Sequence, residues 1–495
     1  MIGGILMAGV KSMKQTMFDE FQLKGDWWFP KNKTKVSGIL YFSSDSIRLE
    51  LIGILGDQNE SPFGLFSLSE RESSSCIFGF TDKGEKITLM DSINIDSKFN
   101  APGFPTETYS VHSFLVGGHF DNFNEAKFHS MSFYPTNFTK WMNKVPFDHT
   151  YGVDENNFTG FNKVEFKSPT LFQEFVESIQ AEIKECYNFN LKGHINTNVD
   201  WVYQGGFTIV PSEWQPLDWF ENNMYSLKNL FTLLIGSPAY LESIIFYGED
   251  SIVVDGKRYR EKFAFFTRQS KFNLPKKFNS FNAIINYTDI DDFNLVLNSW
   301  FNKHEALKPV FDLYFSDFYS KLYLHSQFLN AIQTIEIYHR KTYDGKLFDV
   351  DYYEKNSSEL KDYLKLNFPD TFAEKVEQML LHGNEYSLSK RLREIFKYLD
   401  PDTKSKMFGN SDNRNRFIQQ VVDTRNYLTH YDMGNKQNVL EEAEELYLTV
   451  QRLKALSTLI IFTEIGITEK LIFNKIMENQ KYSSALVNAK KVLNK

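Results

Sequence analysis

The stretch FIQQVVDTRNYLTHYD, residues 417–432, spaces its apolar side chains as an α-helix does. Phe417, Ile418, Val421, Val422 and Leu428 recur at helical intervals and form one stripe. At about 100° per residue, Arg425 falls near the middle of that stripe. A charge facing a core is costly unless it is paired or lines a cleft, so Arg425 needs a reason for its position. Asn426 follows it directly, and His430 completes an Arg-x4-His pattern. Imidazole is the side chain that moves protons near neutral pH, and a guanidinium stays charged and grips phosphate oxygens in two-pronged geometry. With no metal-ligand cluster nearby, that pairing is what metal-free cleavage of RNA requires.

Spacing alone is weak. With about a dozen arginines and 10 histidines in 495 residues, chance puts an Arg-x4-His in roughly one such chain in four. On an ideal helix His430 lies about 140° round from Arg425 and about 7.5 Å along the axis. Either the helix loosens before Gly434, or two copies of the motif meet across a dimer. The plain structural alternatives are an ion pair for Arg425 and a helix C-terminal histidine that suits the dipole for His430.

Outward from the motif, the C-terminal part keeps helical spacing. DIDDFNLVLNSWFNKHEALKPVFDLYF (289–315) predicts a helix with a break or kink near Pro309. LYLHSQFLNAIQTIEIYHR (322–340), SLSKRLREIFKYL (387–399) and VLEEAEELYLTVQRLKALSTLIIFTEIG (439–466) predict further helices. An all-α bundle is expected over 300–495. Before it, VSGILYF (36–42), IRLELIGILG (47–56), SCIFGFTDKG (75–84), KITLMDSI (86–93) and YSVHSFLVGGHF (109–120) alternate with turn signals. They predict a β-rich domain over 18–299, as a sandwich or curled sheet. Helical insertions are expected at 171–185 and at 217–236, the second ending at Gly236. Strands follow at 240–249 and 251–266, joined by an Asp255–Gly256 turn. The fold class is α+β, with residues 1–17 as an N-terminal extension in which Met7, Met13 and Met17 are alternative starts.

The length exceeds what one core usually fills, which fits two domains. Aromatic residues make up 16% of the chain, which argues against disorder. Residues 1–299 carry about −9 and residues 300–495 are close to neutral, so the helical part repels nucleic acid less. Cys76 and Cys186 offer neither a disulfide framework nor zinc-ligand spacing and read as small buried hydrophobes in a cytoplasmic protein. No run is apolar enough for a membrane span, and no phosphate loop, nucleophile elbow or His-Glu-x-x-His is present. No metal or cofactor is expected.

In the helix at 322–340, Phe328, Ile332 and Ile335 mark the buried side, with His339 projecting into it and Glu336 on its flank. Glu336 can neutralise and aim Arg425 or hold a histidine in one tautomer, and a structural polar network is the alternative. Lys390, Arg393 and Lys397 line the face opposite the apolar side of their helix, with Lys404, Lys406, Arg414 and Arg416 following. Such a strip can track a phosphate backbone, and a solvated helix face explains it as well. Trp27 and Trp28 fit packing better than base stacking.

FLNAIQTIEIYHRK (328–341), SLSKRLREIF (387–396) and VVDTRNYLTHYD (421–432), in that order, resemble the HEPN domain of ApeA-type antiphage proteins. That family's signature is Arg-x4-6-His, often with Asn, Asp or His after the Arg; Arg425, Asn426 and His430 match those positions. The β-rich part, including GDWWFP (25–30), is similar to the N-terminal domain of the same proteins. The resemblance implies a metal-independent endoribonuclease that works as a homodimer or larger homo-oligomer, each site combining two motifs. It also implies an abortive-infection role answering a phage trigger, with RNA, tRNA included, as substrate. Arg425, His430 and Asn426 would be catalytic, with Glu336 and His339 in support. A catalytically silent HEPN module for dimerisation or phage sensing is the alternative, and a carbohydrate- or nucleic-acid-processing β domain ranks last.

Overall fold

The computed structural model describes residues 15–32, 34–55, 76–99, 102–121, 126–152, 162–194, 198–254, 257–270, 278, 283–430, 438–479 and 482–487. The chain divides into two compact units, Met1–Asn298 and Ser299–Lys495.

The first unit is built on one antiparallel sheet of fourteen strands. From one edge it runs Gln173–Val176, Ala181–His194, Asn198–Pro211, Ser130–Pro135, Leu241–Val254, Lys257–Thr267 and Ser113–Val116. It continues through Lys86–Met90, Cys76–Thr81, Phe21–Trp28, Val36–Phe42, Ile47–Ile52 and Thr106–Ser110 to Ile93–Lys98. Hydrogen bonding passes through every neighbour in that order, and two two-stranded sheets accompany it, Phe147–Tyr151 with Asn162–Phe166 and Gln215–Pro216 with Lys127–Phe128. Sheets of this width rarely stay open without curling or folding into packed layers. Val36–Phe42 shows why these strands form: buried residues alternate along the whole length with exposed or half-buried ones. Trp27 is fully buried and its ring lies where a Cβ on Gly79 would stand, at 2.3 Å, so only glycine fits there. Burial pushes the Cys76 thiol up to about 12, as expected of an inert core cysteine.

Among the described residues this unit has two α-helices, α1 (Phe138–Met142) and α2 (Leu217–Ile235). Phe220, Met224, Leu227, Leu230, Phe231 and Leu234 form the buried side of α2, and Gly236 ends it in the left-handed region at φ 63°. The expected helix at 171–185 is not one. Gln173–Val176 is a strand, Gln180 turns the chain at φ 49°, and Ala181–His194 is the next strand. Phe172, Val176 and Ile183 fit helical spacing in sequence, but Ala181, Ile183 and Glu185 alternate inward once the turn is made. The expected Asp255–Gly256 turn and Gly434 lie outside the described residues.

In the second unit the chain continues along α3 (Phe293–Tyr319), which begins in the first unit and runs through Pro309 without the expected break. The helices that follow are α4 (Leu324–Thr342), α5 (Val350–Asn367), α6 (Asp370–Leu380), α7 (Leu388–Tyr398), α8 (Pro401–Phe408), α9 (Ser411–His430), α10 (Ala443–Glu464) and α11 (Glu469–Glu478). The long α10 is apolar almost all round and is the buried centre, with Val450, Leu453, Leu456, Leu459 and Phe462 all at most 1% exposed. Among the described residues no helix is long and apolar enough to cross a membrane.

Candidate active site in the helical unit

Helix α9 starts where the Asn410 side chain accepts the Asn413 N–H at 2.9 Å, the usual N-terminal cap. Phe417, Ile418, Val421 and Thr424 make its buried face, and the Phe417 ring packs on Phe408 at 5.0 Å. Val422 and Leu428 are half-buried, so the buried stripe is narrower than the sequence pattern suggested and Thr424 replaces them in it. The Thr424 hydroxyl accepts the Leu440 N–H at 3.0 Å, and Asn438 donates to Asp423 at 2.8 Å. These two bonds tie the chain after the motif back onto the motif helix.

Arg425 therefore does not point into the core. Its side chain is 33% exposed and lies at the margin of the buried face. One nitrogen, Nη2, is 3.4 Å from the Glu336 carboxylate on α4, and Nη1 donates to the Asn426 side-chain oxygen at 3.1 Å. Those bonds use one hydrogen on each terminal nitrogen of a group that carries five, so three remain for a ligand. His430 is exposed at the last position of α9. The helix continues to that point, and the Thr429 hydroxyl donates back to the Arg425 carbonyl at 2.7 Å. Between Arg425 and His430 the helix does not loosen, the residues from there to Gly434 lie outside the described ones, and among the described residues no bond joins the two side chains.

Glu336 and His339 separate into different parts of one polar chain. Glu336 also pairs with Arg340 at 3.1 Å, Arg340 pairs with Glu385, and Glu385 lies 3.5 Å from Arg391. The bond from Arg340 holds the Glu385 carboxyl below the usual carboxylate range. Arg391 is 3% exposed; it donates to the Tyr386 carbonyl and, at 3.0 Å, to Nδ1 of His339. Fully buried, His339 has its other nitrogen 2.6 Å from Glu394. An arginine can only donate, so Nδ1 accepts, Nε2 carries the proton, and the ring is neutral. Glu336 thus pairs with Arg425, and His339 belongs to the polar network joining α4 to α7.

Burial lowers the His339 pKa, and this gives the network a pH dependence. Below about 6.5 an unfolded histidine takes up a proton that the folded ring refuses. Stability is therefore present above that pH and is lost as pH falls from there to the lower folded value. Urea midpoints at pH 8 and pH 5.5 should fall further for the wild type than for His339→Gln; equal falls would mean the ring titrates normally.

Lys390, Arg393 and Lys397 are all exposed on α7, with the Lys390 ammonium 3.9 Å from the Tyr386 ring centre. Arg340, Glu385, Arg391 and Glu394 were not singled out from sequence. The signals were there: Glu336 and Arg340 are spaced as an i,i+4 pair, and Arg391 falls on the apolar side of α7 with Leu388, Leu392 and Ile395. Among the described residues no three His, Cys, Asp or Glu side chains gather as a metal site requires.

Comparison with known proteins agrees with this architecture. Residues 22–300 match the family described as ApeA N-terminal domain 1, and residues 329–471 match Apea-like HEPN. No curated protein and no solved structure gave a match. The first of the two family matches spans more than half of the sequence, and this chain belongs to the ApeA family of HEPN-type antiphage effectors.

Proposed function

We propose that the chain is a metal-independent endoribonuclease whose active site uses Arg425, His430 and Asn426 from two copies. The observation that carries the reading is the state of Arg425: a guanidinium held on one side by Glu336 and Asn426, one-third exposed to solvent, on the helix that ends in exposed His430. On one regular helix the two side chains diverge by about 140°. A second motif facing the first supplies the histidine that each arginine lacks.

In this mechanism one His430 accepts the proton of a ribose 2′-hydroxyl as that oxygen attacks the adjacent phosphorus. The 5′-oxygen leaves with a proton from the opposing His430, giving a 2′,3′-cyclic phosphate and a 5′-hydroxyl. Arg425 stabilises the charge on the equatorial oxygens, Asn426 and Glu336 fix its plane, and His339 acts only through the fold. Acid–base work of this kind contributes about 10²–10⁴ in rate. Unstacked bases in loops are the accessible RNA, so tRNA anticodon loops are the favoured target class. In the cell the activity would answer a phage trigger, with the β-rich unit as sensor or restraint. The test is RNA cleavage by the purified chain in EDTA, with chemical analysis of the ends. Cyclic phosphate ends in EDTA support the mechanism; cleavage that stops in EDTA and returns with magnesium overturns it.

A further inference from the structure

Helices α5 and α6 form a hairpin with no core of its own. Only Leu364 on α5 and Ala373 on α6 are buried. The base of this arm is nonetheless firmly built. Asn384, 7% exposed, accepts the N–H groups of Leu347 and Phe348 and donates to the Phe348 carbonyl at 3.1 Å. Asp349 caps α5 through the Tyr352 N–H, and the Tyr353 hydroxyl bonds the Leu380 carbonyl at 2.8 Å.

On this fixed arm Tyr352, Tyr363, Leu366, Phe368, Phe372 and Met379 are 42–84% exposed. At about 100° per residue the first three share one face of α5, and Phe372 and Met379 share one face of α6. Rings at the turn join the two faces: Tyr363 to Phe368 at 6.4 Å, Phe368 to Phe372 at 5.3 Å. With roughly 150–250 Å² per large side chain, the six leave on the order of 700 Å² uncovered. Lys355, Asn356 and Glu359 interrupt the α5 face between Tyr352 and Tyr363, so the apolar side chains are densest at the turn, and a lone soluble protein rarely leaves so much of one surface apolar. The area is close to the roughly 800 Å² that each partner gives to a stable contact.

Charge selects the occupant. Residues 350–381 hold seven carboxylates and four lysines, an excess that repels phosphate backbones and anionic lipid alike. Both signs are interleaved on both helices, as in Glu354 with Lys355, Glu359 with Lys361 and Glu374 with Lys375. A surface that meets itself across a two-fold axis must be self-complementary, with an apolar centre and both charges around it. Two such arms also make four helices, enough to enclose a centre that two cannot. We propose that the α5–α6 arm docks on the same arm of a second copy of this chain. The contact lies outside the Arg425–His430 motif and does not rest on the nuclease reading.

The test uses the full chain. Light scattering of the wild type should give a multimer, and the Leu366→Glu, Phe372→Glu double variant should have half its mass. Both positions are exposed, so circular dichroism should be unchanged. Separately, Leu366→Cys treated with a short bis-maleimide should give a covalent dimer that the wild type, with its own two cysteines, does not. A monomeric wild type, an unchanged mass in the double variant, or no crosslink above the wild-type level would each overturn the proposal.

Discussion

Replacing His430 with alanine is expected to cut RNA cleavage by about 10²–10⁴-fold and leave the fold intact. The side chain is exposed at the last position of α9, and among the described residues it makes no side-chain bond. Its removal should therefore leave the helical core folded. His382→Ala is the matched control, because that side chain is 80% exposed and lies outside the motif. Arg425→Ala should cost a comparable factor for another reason. It removes the charge-stabilising fork, while Glu336 keeps Arg340 as a partner and stays neutralised. Arg425→Lys should recover only part of the loss, since a point charge cannot make two parallel bonds to phosphate. Full activity in His430→Ala, measured on the same RNA and with unchanged thermal unfolding, would refute the acid–base assignment.

The fold was partly legible in the residues themselves. α2 and α7 follow from helical spacing closed by Gly236 in one case and opened by Ser387 in the other, where the hydroxyl caps the Lys390 N–H. Such signals are local and survive in any tertiary setting. The 171–185 error has the opposite origin: apolar residues there fit two periods, and the neighbouring strand at Asn198–Pro211 decided between them. Strand order was invisible for the same reason. Ser130–Pro135 lies between Asn198–Pro211 and Leu241–Val254, partners far along the chain that no nearby residue encodes. At the candidate site, a cation on an apolar stripe was a sound signal, but its strongest instance is Arg391 and not Arg425. The motif drew attention to the arginine with a candidate chemical role, and the buried one that organises the helices went unmarked.

That buried arginine should be a costly side chain to remove from the helical unit. Arg391→Ala is expected to destabilise it by about 3–5 kcal/mol, as breaking one side of a buried charge network does. The Arg391 guanidinium serves three groups at once: Nδ1 of His339, the Tyr386 carbonyl and the Glu385 carboxylate. Its loss leaves His339 without the donor that fixes its tautomer and leaves Glu385 to Arg340 alone. Lysine cannot restore the arrangement, because one ammonium does not reach three acceptors set in a planar fork. Arg393→Ala, two positions on and exposed, should cost almost nothing and serves as the comparison. Chemical denaturation followed by tryptophan-independent helical signal would read both. The order of effects also separates fold from chemistry: Arg391→Ala should lower the unfolding midpoint, whereas His430→Ala should leave the midpoint alone and remove cleavage. If Arg391→Ala unfolded with the wild-type midpoint, the network joining α4 to α7 would carry no net stability, and the neutral, buried state of His339 would need another cause.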